Sequence, residues 1–163
     1  MIANLYDYVV GVEVGLGSNG RKNRGGHQME DLVESYIRKA DVEYYKEMYL
    51  TDVEAKWNLN LSAISAEGTT TKRWDYVVHS GAKTYLIECN FYASSGSKLN
   101  ETARSYKMIA EEAKEIPNVE FVWITDGAGW FQAKRNLKET FDVLDYMYNI
   151  NDLGNGILVE LFN

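Results

Sequence analysis

Two strand-like segments joined by a short turn are the feature that most constrains how this chain can fold. Residues 73–79 and 84–92 are rich in β-branched and aromatic side chains, and a Ser-Gly-Ala-Lys turn at 80–83 separates them. Glycine at the first central position is typical of a two-residue type II′ turn, which joins adjacent antiparallel strands. Such a turn pairs its two ends, so every later pair has residue numbers that add up to 163. The sequence therefore predicts a hairpin in which Asp75 lies opposite Glu88.

This register would place two carboxylates side by side in the sheet. Directly opposed Cβ atoms lie about 4.5–5.5 Å apart, and like charges at that spacing repel each other. Because Asp75 and Glu88 stand among apolar neighbours such as Leu86, burial would add a desolvation cost. A divalent cation between the carboxylates would offset both costs. Asn90 falls on the same face as Glu88, where it could offer a carbonyl oxygen to a metal or an amide N–H to a phosphate.

A salt bridge is the other interpretation of this acidic pair. The two acids could lie at a sheet edge, either solvated or bonded to Lys72 and Arg73. Apolar alternation on both faces of the hairpin favours central strands instead. Cys89 would then point to the opposite face as a core residue. Glu30 begins a helical pattern, where the helix dipole favours an acid, so a role at a metal site is one of two interpretations for it.

The remaining patterns predict one mixed α/β domain. In chain order the predicted elements are a strand at 9–14, a helix over 29–40, a short helix at 52–57, a strand at 59–65, the hairpin, a helix over 101–115 capped by Asn100, a strand at 119–124 and a last helix over 137–148. This order is typical of an α/β or α+β fold with a mixed central β-sheet flanked by helices. Neither a repeat nor a linker divides the chain, so residues 1–163 are expected to form a single domain.

Two basic, glycine-bearing segments are candidate nucleic-acid contacts. Arg and Asn side chains can hydrogen-bond the edges of guanine and adenine, although a solvated loop would have the same composition. A segment that directly precedes a helix can also bind phosphate through the helix N-terminus. The residues concerned are Arg21, Lys22, Asn23, Arg24 and His27 in the first segment and Ser97 and Lys98 in the second.

Charge and cysteine content exclude several classes of protein. The net charge of −7 excludes a chain that holds nucleic acid by bulk attraction alone. The charge is uneven, because residues 18–29 and 69–107 each sum to +3 while residues 31–67 sum to −4. The single cysteine excludes an internal disulfide or a cysteine-rich zinc site, which indicates a reducing, cytoplasmic setting. The apolar runs fall far short of the roughly 18 residues that a bilayer requires, so no membrane contact is expected.

Taken together, four segments resemble the DpnII/MboI family of type II restriction endonucleases. They are NGRKNRGG at 19–26, the hairpin from Asp75 to Asn90, GSKLNETARSY at 96–106 and WITDGAGW at 123–130. The similarity runs from about Val9 to Leu158. The resemblance implies a PD-(D/E)XK nuclease fold and magnesium-dependent cleavage of double-stranded DNA at GATC, with Mn²⁺ as a substitute for Mg²⁺. A palindromic site also implies a two-fold symmetric homodimer.

The resemblance further implies a role for each candidate residue. Asp75 and Glu88 are expected to hold one or two Mg²⁺ ions, and Glu30 is expected to contact a metal or its bound water. Asn90 is expected to orient the attacking water or the scissile phosphate. The expected contacts to bases or backbone are Arg21, Lys22, Asn23, Arg24 and His27, and the expected contacts to phosphates are Ser97, Lys98 and Arg104.

Two features depart from the family pattern. Position 90 is Asn where the wider nuclease superfamily has Lys, and Lys98 is the expected substitute. Members of the family are usually longer at the N-terminus, so this chain is expected to be a short form. Two other functions stay open for these reasons. One is a DNA-binding domain that does not cleave, or an inactive fragment of such an enzyme. The other is a protein-interaction domain that uses the twelve tyrosines.

Overall fold

The computed structural model describes residues 26–64 and 72–163. Predictions that concern residues 1–25 and 65–71 lie outside the described residues. They are the strand at 9–14 and the basic-loop residues Arg21, Lys22, Asn23 and Arg24.

A five-stranded mixed sheet forms the centre of the described chain. Its strands are β1 (Glu43–Tyr49), β2 (Arg73–Ser80), β3 (Lys83–Phe91), β4 (Val119–Asp126) and β5 (Met147–Tyr148), and they lie side by side in that order. The first three strands are antiparallel, whereas β3, β4 and β5 are parallel. The predicted mixed central sheet is therefore confirmed.

Helices flank this sheet on both faces. They are α1 (Gly26–Lys39), α2 (Leu50–Trp57), α3 (Ser97–Ala113), α4 (Lys134–Phe141), α5 (Ile150–Gly154) and α6 (Ile157–Phe162), with a 3₁₀ helix at Ala128–Gln132. One apolar core joins α2, α3 and α4 to the sheet face of Val77 and Leu86, and a second joins α1, α5 and α6 to the face of Tyr76 and Ile87. Successive side chains of a strand point to opposite faces, which produces the two cores. No helix among residues 26–64 and 72–163 is both long and apolar enough to cross a membrane.

The hairpin has the register that its turn predicts. Ser80 pairs with Lys83, and the pairs continue without a shift to Tyr76 and Ile87. Gly81 has a φ of +60°, a conformation that glycine adopts without the strain of a Cβ atom. Both strands lie inside the sheet, so an edge position for the acidic pair is wrong.

The regular pairing stops at Asp75. Among the described strand pairs, those of β2 with β1 skip this residue, and those of β2 with β3 end one pair before it. Glu47, which lies across from it on β1, has a left-handed φ of +50°. The Oδ2 atom of Asp75 instead accepts a hydrogen bond of 2.9 Å from the backbone N–H of Cys89. The carboxylate of Asp75 therefore contacts β3 where a backbone pair with Glu88 was predicted.

The strand predicted at 59–65 is wrong, because residues 59–64 contain no strand. Asn58 ends α2 in a left-handed conformation with a φ of +51°. The N–H groups of Leu59 and Leu61 then donate to the backbone oxygen and the carboxylate of Glu54. Leu61 is buried as a strand residue would be, but local bonds to the helix have replaced strand pairing. The strand of this region, β1, precedes α2.

Two predicted helices have different limits in the structure. The helix expected over 101–115 is α3 and begins at Ser97, so Asn100 lies inside it and does not cap it. The Oδ1 atom of Asn100 accepts a hydrogen bond of 2.6 Å from Asn136. The helix expected over 137–148 ends at Phe141, because the next apolar residues extend along β4 and form β5.

Candidate active site

Glu88 is a buried carboxylate at the centre of the sheet, with 6% of its surface exposed. Its Oε1 atom accepts a hydrogen bond from Lys72 Nζ, and its Oε2 atom accepts one of 3.1 Å from the Tyr106 hydroxyl. Burial and the negative charge of Asp75 raise the pKa of Glu88 to about 7, while Lys72 acts in the opposite direction. The structure thus brings the two acids together and adds a lysine beside them.

Lys72 is held between aromatic rings. Its Nζ atom lies 4.4 Å from the ring centroid of Trp74 and 5.9 Å from that of Tyr106, and its side chain is 17% exposed. A salt bridge to Lys72 or Arg73 was the other interpretation of the acidic pair. The structure shows this salt bridge for Lys72, whereas Arg73 pairs with Glu47. Lys72 directly precedes β2, and the rings that lie around its ammonium group come from β2 and α3.

The side chain of Asn90 is fixed by the indole of Trp123. Asn90 Oδ1 accepts a hydrogen bond of 3.0 Å from Trp123 Nε1. Trp123 in turn packs edge to face against Tyr106 at 5.0 Å and against Trp130 at 5.3 Å. With its oxygen engaged, Asn90 keeps its amide N–H groups for a ligand. The amide oxygen has a second lone pair, so both predicted roles of Asn90, donor to a phosphate and ligand of a metal, stay predictions.

Cys89 and Glu30 lie on the α1 side of the sheet. Cys89 is buried, and burial together with the charges of Asp75, Glu30 and Glu88 raises the pKa of its thiol. The backbone oxygen of Glu30 accepts a hydrogen bond of 2.9 Å from the hydroxyl of Tyr76. The carboxylate of Glu30 is close enough to contribute to the raised pKa of the Cys89 thiol. Within the described ranges, no group of three or more His, Cys, Asp or Glu residues is arranged to hold a metal.

The predicted DNA contacts divide into those that lie outside the described residues and those on α3. Arg21, Lys22, Asn23 and Arg24 lie outside the described residues, and so does the side chain of His27, whose backbone is in the first turn of α1. Ser97, Lys98 and Arg104 are exposed on α3. Lys98, the expected substitute for a motif lysine, is exposed in the first turn of α3, whereas Lys72 is the lysine that contacts Glu88. Of the three residues on α3, Ser97 and Arg104 line the cleft described next.

A polar cleft of about 850 Å³ lies between the start of α3 and the start of α4. Two hydrogen bonds of 2.6 Å join its walls, from Ser95 Oγ to Gln132 Oε1 and from Asn136 Nδ2 to Asn100 Oδ1. The lining residues are Ser95, Gly96, Ser97, Asn100, Arg104, Gln132, Ala133, Arg135, Asn136 and Glu139. The sequence does not predict the α4 wall, because α4 begins at Lys134, ahead of the helix expected over 137–148, and most of the lining residues on this side precede residue 137.

The segment WITDGAGW connects β4 to the 3₁₀ helix whose last residue, Gln132, lines this cleft. Asp126 is buried, and its carboxylate accepts from the N–H groups of Gly127 and Ile150. Gly127 and Gly129 face the backbone of Tyr92 and Ser94 so closely that a Cβ atom on either would lie within 2.5 Å of a carbonyl oxygen. Because these glycines have no Cβ atom, the loop after β3 can pack directly on the segment after β4. The two glycines therefore have a structural role.

Comparison with known proteins gives a consistent result. The family model described as DpnII restriction endonuclease matches residues 1–160. The type II restriction enzyme DpnII of Streptococcus pneumoniae is 56% identical over 165 residues, which cover 99% of this chain and 57% of that protein. MboI of Moraxella bovis is 42% identical over 98% of this chain and 54% of its own length, and MjaIII of Methanocaldococcus jannaschii is 40% identical over 98% and 57%. The chain spans about half the length of these relatives. No solved structure matches it.

Proposed function

This chain belongs to the DpnII restriction endonuclease family, and on that premise we propose that it hydrolyses phosphodiester bonds of double-stranded DNA at GATC sites. The observation that carries the proposal is the contact of two carboxylates, Asp75 and Glu88, inside a sheet, with the fixed amide of Asn90 two residues further along β3. The proposal includes a single nuclease domain over residues 1–163 with a PD-(D/E)XK fold, and a cytoplasmic location.

The donor set at this position fits a hard divalent cation. Two carboxylates in contact repel each other, and the pKa of Glu88 stays raised although Lys72 lies beside it, so a divalent cation between the carboxylates would offset repulsion that Lys72 leaves. Mg²⁺ takes one or two protein carboxylates and completes its shell with water and substrate phosphate, so Asp75 and Glu88 are sufficient to hold Mg²⁺ or Mn²⁺. When bound, such a cation lowers the pKa of its water and neutralises charge on the phosphate oxygens. Glu30 would contact the metal-bound water from the α1 side.

The residues around the carboxylates position them and the substrate. The Tyr106 hydroxyl fixes one oxygen of Glu88, and Lys72 favours the ionised form of that buried carboxyl. Asn90, held by Trp123, would donate an amide N–H to a non-bridging oxygen of the scissile phosphate. The basic loop with Arg21, Lys22, Asn23, Arg24 and His27 would read bases or hold the backbone, and Ser97, Lys98 and Arg104 would contact phosphates.

Digestion of unmethylated and adenine-methylated plasmid DNA tests the proposal. With Mg²⁺ or Mn²⁺ we expect fragments whose sequenced ends all fall at GATC, and we expect Asp75→Asn to abolish cleavage while metal-free DNA binding persists. Asp52→Asn is the matched control, since this acid is exposed on α2. Cleavage that survives Asp75→Asn, or that ignores GATC, would contradict the proposal. The methylated plasmid reveals whether adenine methylation blocks cutting.

A second candidate is a DNA-binding domain that does not cleave. The engagement of both Glu88 oxygens, by Lys72 and Tyr106, favours it. Such a domain would bind a GATC duplex with Ca²⁺ and would leave it intact with Mg²⁺ and Mn²⁺ at every protein concentration. Any GATC cleavage that depends on Asp75 excludes it.

A further inference from the structure

The polar cleft between α3 and α4 lies at the same edge of the sheet as the candidate active site. β3 and β4 are parallel and end together, with Phe91 beside Asp126. The chain leaves β3 directly after Asn90 and Phe91 and builds the α3 wall, and it leaves β4 to build the α4 wall. A polynucleotide whose scissile phosphate lies at Asn90 therefore has the cleft next to it.

The cleft presents two guanidinium groups from different helices. Arg104 comes from α3 and Arg135 from α4. The side chain of Arg135 is 92% exposed, and its ion pair with Glu139 has a distance of 3.7 Å. An exposed pair at this distance is worth little in water, so a phosphate oxygen can compete for Arg135. Guanidinium groups bind phosphate with two parallel hydrogen bonds, which makes arginine well suited to such a site.

The walls that carry these arginines are joined by bonds that do not use the arginines. Ser95 bonds to Gln132 and Asn100 bonds to Asn136, each at 2.6 Å. The backbone N–H of Gly129 donates to the Tyr92 oxygen at 2.9 Å. A cleft preorganised in this way loses less conformational entropy when it binds a ligand.

We propose that this cleft binds the phosphate backbone beside the scissile bond, with Arg135 of α4 acting together with Arg104 of α3. The inference rests on the proposed function and adds to it a DNA contact on α4. Glu139, which is the acid in the cleft lining, opposes this binding through its negative charge.

Fluorescence anisotropy with a labelled GATC duplex and a scrambled duplex, both in Ca²⁺, tests the inference. We expect Arg135→Ala to weaken binding of both duplexes by about tenfold, the loss of a charged hydrogen bond. The slope of log affinity against log salt should fall by about one, as for one lost phosphate contact. The matched control is Lys138→Ala, which removes the same charge from the same helix and a similar pair with Asp142, and which should leave binding unchanged.

A second variant gives the opposite result, which misfolding could not produce. Glu139→Gln should tighten the binding of both duplexes by about threefold, because it removes a negative charge from the cleft and releases Arg135. The control for this variant is Asp142→Asn. Asp142 forms its ion pair with Lys138, so removing its charge should not change binding.

Three outcomes would overturn the inference, each in a distinct way. If Arg135→Ala binds as the Lys138→Ala control does, the cleft is not a backbone site, although GATC cleavage by the wild type would still support the proposed function. If Arg135→Ala weakens only the GATC duplex, Arg135 contacts bases and not phosphates. If the wild type neither binds a duplex in Ca²⁺ nor cuts one in Mg²⁺, the proposed function fails and the inference fails with it.

Discussion

Lys72 is the residue that most changes how the acidic pair behaves without a metal. Its ammonium group contacts Glu88 and lies 4.4 Å from the centre of the Trp74 ring. A cation at this position repels both a proton and a divalent metal ion from the carboxylates. The repulsion of the metal is greater, because the metal carries twice the charge.

Replacing Lys72 with Met should therefore tighten metal binding. The proton affinity of Glu88 rises in the variant, but the affinity for Mn²⁺ rises more, by about tenfold in net effect. Isothermal titration of Mn²⁺ into wild type and Lys72→Met measures this difference, with Arg73→Met as the control, since Arg73 pairs with Glu47 on the neighbouring strand. Equal or weaker binding in Lys72→Met would show that this lysine does not compete with the metal.

Glu88 should also make the metal-free protein less stable as the pH rises. Burial and Asp75 raise its pKa from 4.5 to about 7, so the folded state binds the proton more tightly than the unfolded state does. Its contribution is fully present below pH 4.5 and is lost as the pH rises through 7, by up to about 3 kcal/mol. The test is the free energy of unfolding of wild type minus that of Glu88→Gln across this range, in chelator. A difference that stays flat or rises with pH would contradict the raised pKa.

At this scale the sequence predicted the acids and offered Lys72 as a partner in one interpretation, but it did not predict Tyr106. A two-residue turn fixes the register of a hairpin, so Asp75 and Glu88 could be placed together from local rules. Tyr106 reaches Glu88 through the packing of α3 on the sheet, which local rules do not specify. The register of a hairpin predicts which backbone positions lie opposite each other. It could not predict that the carboxylate of Asp75 accepts a hydrogen bond from the N–H of Cys89.

At the scale of elements, the amphipathic patterns predicted the helices α1 and α3 well. The segments at 43–49 and 59–65, which have a weaker pattern, were predicted less well. β1 has a charged or polar residue at three of its seven positions, since it is an edge strand in the described sheet, so it lacks the apolar signal of β3. Leu61 and Ile64 are fully buried without belonging to a strand. Burial of an apolar residue therefore did not indicate its secondary structure in these two places.

Gly129 joins the elements that frame the cleft, and its replacement should separate them. A Cβ atom there would lie 2.5 Å from the backbone oxygen of Ser94 and 2.6 Å from its carbonyl carbon. We expect Gly129→Ala to lower the free energy of unfolding by about 1–3 kcal/mol, because backbone must move to relieve the overlap. Thermal unfolding measures the change. Gly96→Ala is the control, since nothing lies within 4 Å of its Cβ position, and a similar loss in both variants would contradict this explanation.

At the scale of the whole molecule, the net charge of −7 means that DNA, the proposed substrate, would have to approach a particular face. General attraction cannot hold a polyanion to an acidic protein, so affinity must come from local basic groups. Arg104 and Arg135 provide such a pair on the described surface. The exclusion of bulk attraction therefore stays a prediction from composition, and the fold adds the place where two basic side chains lie together.

The proposed palindromic site links the whole molecule to its assembly. GATC reads the same on both strands, so two copies related by a two-fold axis can make identical contacts to the two half-sites. We therefore expect two chains of 18.6 kDa on each short duplex that carries one GATC site. Light scattering of the Ca²⁺ complex measures this mass, and a duplex with one half-site scrambled should bind more weakly and lose the two-chain complex. One chain per intact site, with both strands still cut at GATC, would show that each chain acts on the two strands in turn.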